Sequence, residues 1–526
     1  MAIVTIDGYR LTIDDVVRVA RDATQKVRLS GEEAERVAQS RQAVEGFLAS
    51  GQRIYGITTG FGALKDHFIS PEHSRELQRN MILSHAVGVG EPFPEEVVRA
   101  MLLIRANALA KGCSGVRVAV LNGLLGLLNA GVHPVVPSKG SVGASGDLAP
   151  LAHLTLTLIG EGEAVYQGER MASARALQQA GLEPAVLEAK EGLALINGTA
   201  AMTAVAALAV RDAENLLQVA DIAGAMSLEA MQGVGQALDA RLHAVRPYVG
   251  QVAVAAHLRD LVDGSQLLSG DTGDGTRPSR VHDAYSLRCI PQVHGAVRDL
   301  VAYVKGVVAT ELNAATDNPL LFADGDGMVA LSGGNFHGEP VALAMDALGM
   351  AVAELGSISE RRIARLVDTQ ANEGVLPPFL SPSSGLHSGF MLAQYTAAAL
   401  VSENKVLAHP ASVDSIPTSA GMEDHVSMGT IAARKAREIV ANVTDILAIE
   451  LMAAAQGIDL RLRNGTASLG RGTRVAFGLV RERVPYLERD VLMYPHVNAL
   501  RELVAGEVLG RELGDGGLEG GKRSCE

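Results

Sequence analysis

Residues 193–210 read LALINGTAAMTAVAALAV. No charged side chain interrupts them, and the length approaches the roughly 20 residues of a membrane span. The composition argues against a span. Asn197, Gly198, Thr199 and Thr203 are polar or small, and alanine supplies much of the rest. Alanine is weakly hydrophobic by membrane standards but lets helices approach closely, so the stretch predicts a helix buried in a bundle.

The same reading extends outward in both directions. Apolar residues three and four apart predict helices over 13–27, 32–49, 94–110, 116–130, 148–159, 193–218 and 221–231. Further helical patterns cover 291–313, 339–355, 389–404 and 428–456. Ser30 with Glu33 is a capping-box signature for the second helix, and Gly51 closes it. Strand signals are few. Residues 164–165 and 169–171 flank Tyr166-Gln167-Gly168, and 320–322 and 328–331 flank Asp324-Gly325-Asp326-Gly327; both read as hairpins. The second turn lacks the ligand spacing of a calcium loop. Residues 268–279 form a Gly/Asp-rich loop, and 514–526 a frayed tail. Alternating strand–helix units are absent, which disfavours a dinucleotide-binding sheet or a βα barrel. Gly60-Phe61-Gly62 and Gly88-Val89-Gly90 lack the spacing and following lysine of a phosphate cradle. The fold class is mainly α with short β-hairpins.

Composition narrows the function classes. Lys and Arg number 46 against 59 Asp and Glu, for a net charge of −13, which disfavours nucleic acid as a partner. Cys113, Cys289 and Cys525 are too few and scattered for a disulfide framework or a zinc site, so a reducing, cytoplasmic setting is the simplest reading. The first residues lack the apolar core of a signal peptide, and no membrane partner is expected. No His/Glu/Asp/Cys spacing suggests a metal, and no GxSxG suggests a hydrolase.

Polar islands interrupt this apolar sequence. Tyr55-Gly-Ile-Thr-Thr-Gly-Phe-Gly62 is a loop able to present Tyr55 to a cleft, or simply to pack it. Gly140-Ser-Val-Gly-Ala-Ser-Gly-Asp-Leu-Ala-Pro150 reads locally as a helix start, with Ser145 or Asp147 as N-cap and Pro150 in the first turn. A second reading exists. If the fold bends Ala144-Ser145-Gly146 tightly, the Gly146 nitrogen attacks the Ala144 carbonyl carbon. Loss of water, including the Ser145 hydroxyl, then leaves an exocyclic methylidene, a strong electrophile. Only glycine offers an unhindered nitrogen and the freedom for that bend. Asn197-Gly-Thr199, Tyr285-Ser-Leu-Arg288, Asn335-Phe-His337 and Glu423-Asp-His425 are further islands. Each is either a hydrogen-bonding hub or part of a site, because buried polar groups must be paired.

These segments, with Lys190-Glu-Gly-Leu-Ala-Leu-Ile-Asn-Gly-Thr199, Asp317-Asn-Pro-Leu320, Ser332-Gly-Gly-Asn-Phe-His337 and Glu423-Asp-His-Val-Ser-Met428, resemble the aromatic amino acid lyases over about residues 6–461. The resemblance implies an elongated central helix bundle with a smaller N-terminal α-rich globular part. Residues 1–110 would be the N-terminal part carrying the Tyr55 loop, 111–513 the helix-bundle catalytic domain, and 514–526 the flexible tail. It implies a homotetramer whose sites are shared between subunits. It also implies a 4-methylidene-imidazole-5-one group self-formed from Ala144, Ser145 and Gly146, with no metal and no nucleotide.

Position by position, Tyr55 matches the family's base for the β-proton, a role that needs a site favouring the phenolate. Asn197 and Tyr285 match residues that hydrogen-bond the prosthetic group or the amine. Arg288 matches the carboxylate clamp, and Phe336 an aromatic wall. His85, Glu423, Glu339 and Met391 resemble the histidine branch, since a carboxylate at Glu423 suits an imidazole N–H. His282 and Met422 depart from that branch, where glutamine is usual. The implied reaction is elimination of ammonia from an amino acid, histidine to urocanate. Tyrosine or phenylalanine lyases, an aminomutase and an inactive helical scaffold are the alternatives.

Overall fold

The computed structural model describes residues 3–60, 62, 67–269, 281–325, 327–383, 385–463 and 467–513. Most of the loop expected at 268–279, and the tail at 514–526, lie outside them. Helices dominate the chain. It divides into two compact units. The first comprises Met1–Arg211, Val304–Asp346 and Pro410–Lys435; the second comprises Asp212–Tyr303, Ala347–His409 and Ala436–Glu526. Four long helices, Ala200–Ala230, Ile290–Glu311, Glu339–Val367 and Gly429–Leu462, contribute residues to both.

In the first unit the helix Glu95–Ala110 is buried along nearly its whole length, Arg99, Arg105 and Asn107 included. The 193–210 stretch is buried throughout, as its composition requires, but it is not one helix. A short helix, Glu191–Ile196, stops at Asn197, and a new one starts at Ala200. Gly198, at φ +138°, makes the break. Beyond it the helix runs unbroken to Ala230, where the sequence suggested two. Among the described residues one helix, Glu339–Val367, is long and apolar enough to cross a membrane; two thirds of its most apolar window is buried, as in a core helix.

The helix expected over 13–27 ends at Arg21. The Asp22 carboxylate accepts from the N–H (2.9 Å) and hydroxyl (2.6 Å) of Thr24, a local turn that competes with the helix. Val27–Leu29 then becomes a strand, parallel to Val4–Ile6. A full capping box does form on this helix, between Thr12 and Asp15. Ser30 is an N-cap but makes no side-chain cap bond; its side chain hydrogen-bonds Glu33, which also pairs with Arg36. Both expected hairpins form, as Glu163–Tyr166 with Glu169–Ala172 and Leu320–Asp324 with Gly327–Leu331. The strands Val132–Pro134, Val89–Pro92 and Pro137–Lys139 have no clear alternation in sequence, and they pair around the first unit's helices.

The second unit packs its portions of the long helices with Val249–Leu261, Met391–Leu407, Arg471–Arg483 and Tyr494–Ala505. Its core holds charge. The Glu450 carboxylate accepts from Arg362 Nε (2.5 Å), Ser227 Oγ (2.7 Å) and Ser359 Oγ (2.5 Å), all buried. Asp221 lies between His257 Nδ1 (3.0 Å) and His294 Nδ1 (2.7 Å). Such pairs are costly to break singly, because the remaining charge is left buried. Arg362→Met is therefore expected to destabilise the second unit by about 3–5 kcal/mol, with the double variant Arg362→Met/Glu450→Met recovering most of that loss. Urea midpoints of the three proteins measure it.

Candidate active site

A cavity of about 870 Å³ opens in the first unit. Its lining gathers Tyr55, His85, Ser145, Asn197 and Glu423 from five separate stretches of chain. Local structure explains why each stretch arrives there.

The Tyr55 loop is pinned by its threonines. The Thr58 hydroxyl donates to Gln52 O (2.6 Å) and accepts from Ile54 N (2.9 Å), while Thr59 Oγ1 accepts from Gly56 N (3.3 Å). Gly56 takes φ +69°, a conformation glycine reaches without strain. The phenol oxygen of Tyr55 accepts the N–H of Gly62 at 3.2 Å. His85 ends the helix Ser74–His85, and Leu77, Asn80, Met81 and Ser84 form the rest of its cavity face. That stripe has helical spacing. Only Ser84 and His85 stood out in the sequence, because a helical period alone does not separate a cavity wall from a core face.

The Gly140–Pro150 segment starts a helix, and Asp147 is the N-cap. Its carboxylate makes no cap bond. It is buried and accepts from Met202 N (2.8 Å), Ser141 Oγ (3.1 Å) and Thr430 Oγ1. Burial pushes the Asp147 carboxyl above the usual range, and these donors act against the rise. Sequence reasoning missed Ser141, Ser427 and Thr430. The Ser427 hydroxyl donates to Gly143 O at 3.0 Å, and Met428 N to Val142 O at 2.8 Å. These contacts clamp the two residues that lead into Ala144.

Gly146 and Gly198 then meet backbone to backbone. Gly198 N donates to Ser145 O (3.3 Å) and Asp147 N to Gly198 O (2.7 Å). A Cβ on Gly146, at φ +72°, would stand 2.2 Å from Gly198 O; one on Gly198 would stand 2.4 Å from Thr316 Oγ1. Neither position has room for a side chain. The helices Leu148–Leu158 and Ala200–Ala230 both begin beside this contact, so their positive ends favour negative charge there. Asn197 is buried, and its Oδ1 has no hydrogen-bond partner among the described residues.

Glu423 comes from a strained turn, with Ser419 and Ala420 at φ +51° and +54° and a bridge between Thr418 and Glu423. Its Oε1 accepts from Ser145 Oγ (2.7 Å) and its Oε2 from Thr418 Oγ1 (2.7 Å).

Other residues singled out in the sequence lie elsewhere. Tyr285, Arg288 and His282 line a second cavity, of about 490 Å³, in the second unit. Tyr285 is 70% exposed, and the Arg288 guanidinium sits 4.7 Å from its ring centre. Met391, half-buried, opens the helix Met391–Leu407 of that unit. Phe336 is half-buried in the first unit but does not line the large cavity. Met422 is exposed beside Glu423. Among the described residues no group of three or more His, Cys, Asp or Glu is arranged to hold a metal ion.

The family model for aromatic amino acid lyase matches residues 11–482. The chain belongs to the aromatic amino acid lyases. A histidine ammonia-lyase of Chloroflexus aurantiacus is 56% identical over 507 residues, 95% of this chain and 96% of that one. Another, of Symbiobacterium thermophilum, is 55% identical over 499 residues, 94% and 96% of the two chains. Among solved structures, a histidine ammonia-lyase from Trypanosoma cruzi superposes with TM-score 0.89 at 43% identity, covering 97% of this chain and 95% of that one. A tyrosine aminomutase from Streptomyces globisporus superposes with TM-score 0.90 at 39% identity, covering 97% and 98%. The lyase fold is thus the mainly α fold expected from sequence, and the chain is an enzyme of this family.

Burial holds the His85 imidazole of this lyase below the ordinary histidine value of 6.5, and its bond to Met81 O and the nearby Glu423 act against the shift. The unfolded chain therefore takes up this proton first as pH falls. His85 adds no pH dependence above about 6.5 and opposes folding progressively as pH drops through that value toward the folded one. An NMR titration, with the His85 signal assigned by its loss in His85→Gln, is expected to show a midpoint below 6.5.

Proposed function

We propose that the chain is a histidine ammonia-lyase, eliminating ammonia from L-histidine to give trans-urocanate. The observation that carries the reading is the pairing of a carboxylate, Glu423, and a neutral-leaning imidazole, His85, on the wall of one cavity with Tyr55, Ser145 and Asn197. The imidazole of histidine has two nitrogens, and each meets a polar partner there. Histidine ammonia-lyases similar over nearly the whole chain support the substrate.

The Ala144-Ser145-Gly146 tripeptide fits a self-formed 4-methylidene-imidazole-5-one. Gly146 is bent to φ +72°, pressed on Gly198 with no space for a Cβ, and flanked by the start of a helix. Once formed, that group supplies an electrophile that eases departure of the amine. The remaining work falls to this chain's side chains. Glu423 accepts an imidazole N–H and fixes the ring, with His85 beside it. Asn197 Oδ1, buried and unpartnered among the described residues, accepts from the substrate ammonium. Tyr55 takes the β-proton, with the Gly62 N–H donating to its oxygen.

A carboxylate clamp is missing from this inventory. No Arg or Lys is among the described residues lining the large cavity. We assign the clamp to Arg288, with Tyr285, His282, Phe336 and Met391, contributed by other copies of the chain in a homotetramer. The exposure of Tyr285 supports a surface awaiting a partner. The free thiols of Cys113 and Cys289 agree with a cytoplasmic enzyme.

Ser145→Ala is expected to keep the fold and the oligomer by circular dichroism and gel filtration, and to lose nearly all turnover with the near-ultraviolet absorbance of the group. Wild-type-like turnover would remove Ser145 from the chemistry. The substrate assignment is tested by kcat/KM for histidine, tyrosine and phenylalanine. Histidine is expected to lead, because a hydrocarbon ring leaves Glu423 and His85 unpaired at a cost of about 1–3 kcal/mol per group. Glu423→Gln is expected to cut histidine turnover far more than stability. A preference for tyrosine, or a β-amino acid product, would overturn the reading. Arg288→Lys keeps the charge but loses the planar fork, and kcat/KM is expected to fall by about 1.5–3 kcal/mol, a drop of tenfold or more.

A further inference from the structure

Behind the Asn197-Gly198-Thr199 turn lies a buried cation that the chemistry above does not use. Arg105 stands on the helix Glu95–Ala110 and is wholly buried. Its Nη2 donates to the carbonyl of Ala194, in the short helix that ends at Asn197. Its Nη1 lies so near Gly198 that a Cβ there would come within 2.6 Å of it. Nε and Nη1 have no hydrogen-bond partner among the described residues. Dry, unpaired donors on a charged group oppose folding, so hydrogen bonding alone does not account for Arg105 at this place.

The surrounding charges do not neutralise it. Lys190 Nζ sits 2.5 Å from Asp317 Oδ2, and both side chains are buried. Asp317 is also the carboxylate that acts on Arg105, so one anion faces two cations. Burial brings the Arg105 guanidinium down to about 10, and it stays charged at neutral pH. On the turn's other side the Thr199 hydroxyl donates to Glu311. Gly146, Gly198 and Arg105 therefore stack as three layers, each too close to the next to admit one more carbon.

We infer that Arg105 is a positioning residue for closure of the Ala144-Ser145-Gly146 tripeptide, holding Gly198 from behind so that Gly198 in turn holds Gly146 in its bend. The inference rests on the self-formed group proposed above. Closure forms the bond from Gly146 N to Ala144 C. The Ala144 oxygen leaves as water with the amide protons of Gly146 and Ser145. The Ser145 hydroxyl leaves as a second water with the Cα proton. No oxidant or reductant enters. Arg105 touches neither substrate nor reacting atoms; it sets the geometry in which the nitrogen reaches the carbonyl.

The test is the intact mass of the purified, folded oligomer. Wild type is expected at the closed mass, two waters below the sum of its residues. Arg105→Met removes the fork and the charge while filling the volume; most of its folded chains are expected to keep both waters and lack the near-ultraviolet absorbance. The closed remainder is expected to turn over histidine with unchanged KM, so kcat falls in proportion to the closed fraction. Arg105→Lys, which restores the charge, is expected to recover part of the closed fraction, and it carries the test alone if Arg105→Met is insoluble. Full closure in every folded variant would overturn the role of Arg105 and leave the group intact. Wild type at the uncyclised mass would instead overturn the group itself.

Discussion

The contact between Gly146 and Gly198 organises this molecule's chemistry. Two backbone segments far apart in sequence lie against each other with no side chain between them, joined by the Ser145 carbonyl and the Asp147 amide. Around it the chain arranges a helix start on either side, a buried Asp147 held by donors that include Ser141, Met202 and Thr430, and a close-packed layer beneath Gly198 that includes Thr316 and Arg105. Each supporting element is itself tied down, so the approach is over-determined. That is how a strained backbone persists in a folded protein.

Burial differs on the two sides of this contact. Behind it, Arg105, Lys190 and Asp317 are fully enclosed. In front, Tyr55, His85, Ser145 and Glu423 are half-buried along the cavity wall. A rigid, dry back and a solvent-reached front suit a site whose geometry must be fixed while its ligand exchanges. The Glu423 turn adds strain at Ser419 and Ala420, which tells of a loop held by its surroundings rather than by its own preferences.

Much of this was legible in the sequence. The helical periods, both hairpins and the glycine at 51 are local signals, and most appear in the structure within a few residues, although the helix expected over 339–355 continues to Val367. The failures are also local. Asp22 and Thr24 end a helix early through a side-chain turn, and Gly198 breaks an alanine-rich run that hydrophobicity alone carries through. The short strands at 89–92, 132–134 and 137–139 form because tertiary packing supplies partners, which no single-strand pattern announces. Within the site, Tyr55, Ser145, Asn197 and Glu423 stood out as polar islands, and His85 only through the family resemblance. The roles of Ser141, Ser427 and Thr430 did not, since a serine or threonine that bonds a buried carboxylate or carbonyl looks in sequence like any other.

Exposed Tyr285 and half-buried Arg288 line a cavity of the second unit. On the shared-site assignment, a chain altered at Tyr55 and a chain altered at Arg288 are defective at different faces of the same composite pocket. Co-assembled, they form some pockets with neither defect, so two dead proteins yield a live mixture. On that same assignment specific activity depends on concentration, since dilution that separates the copies strips each pocket of its clamp.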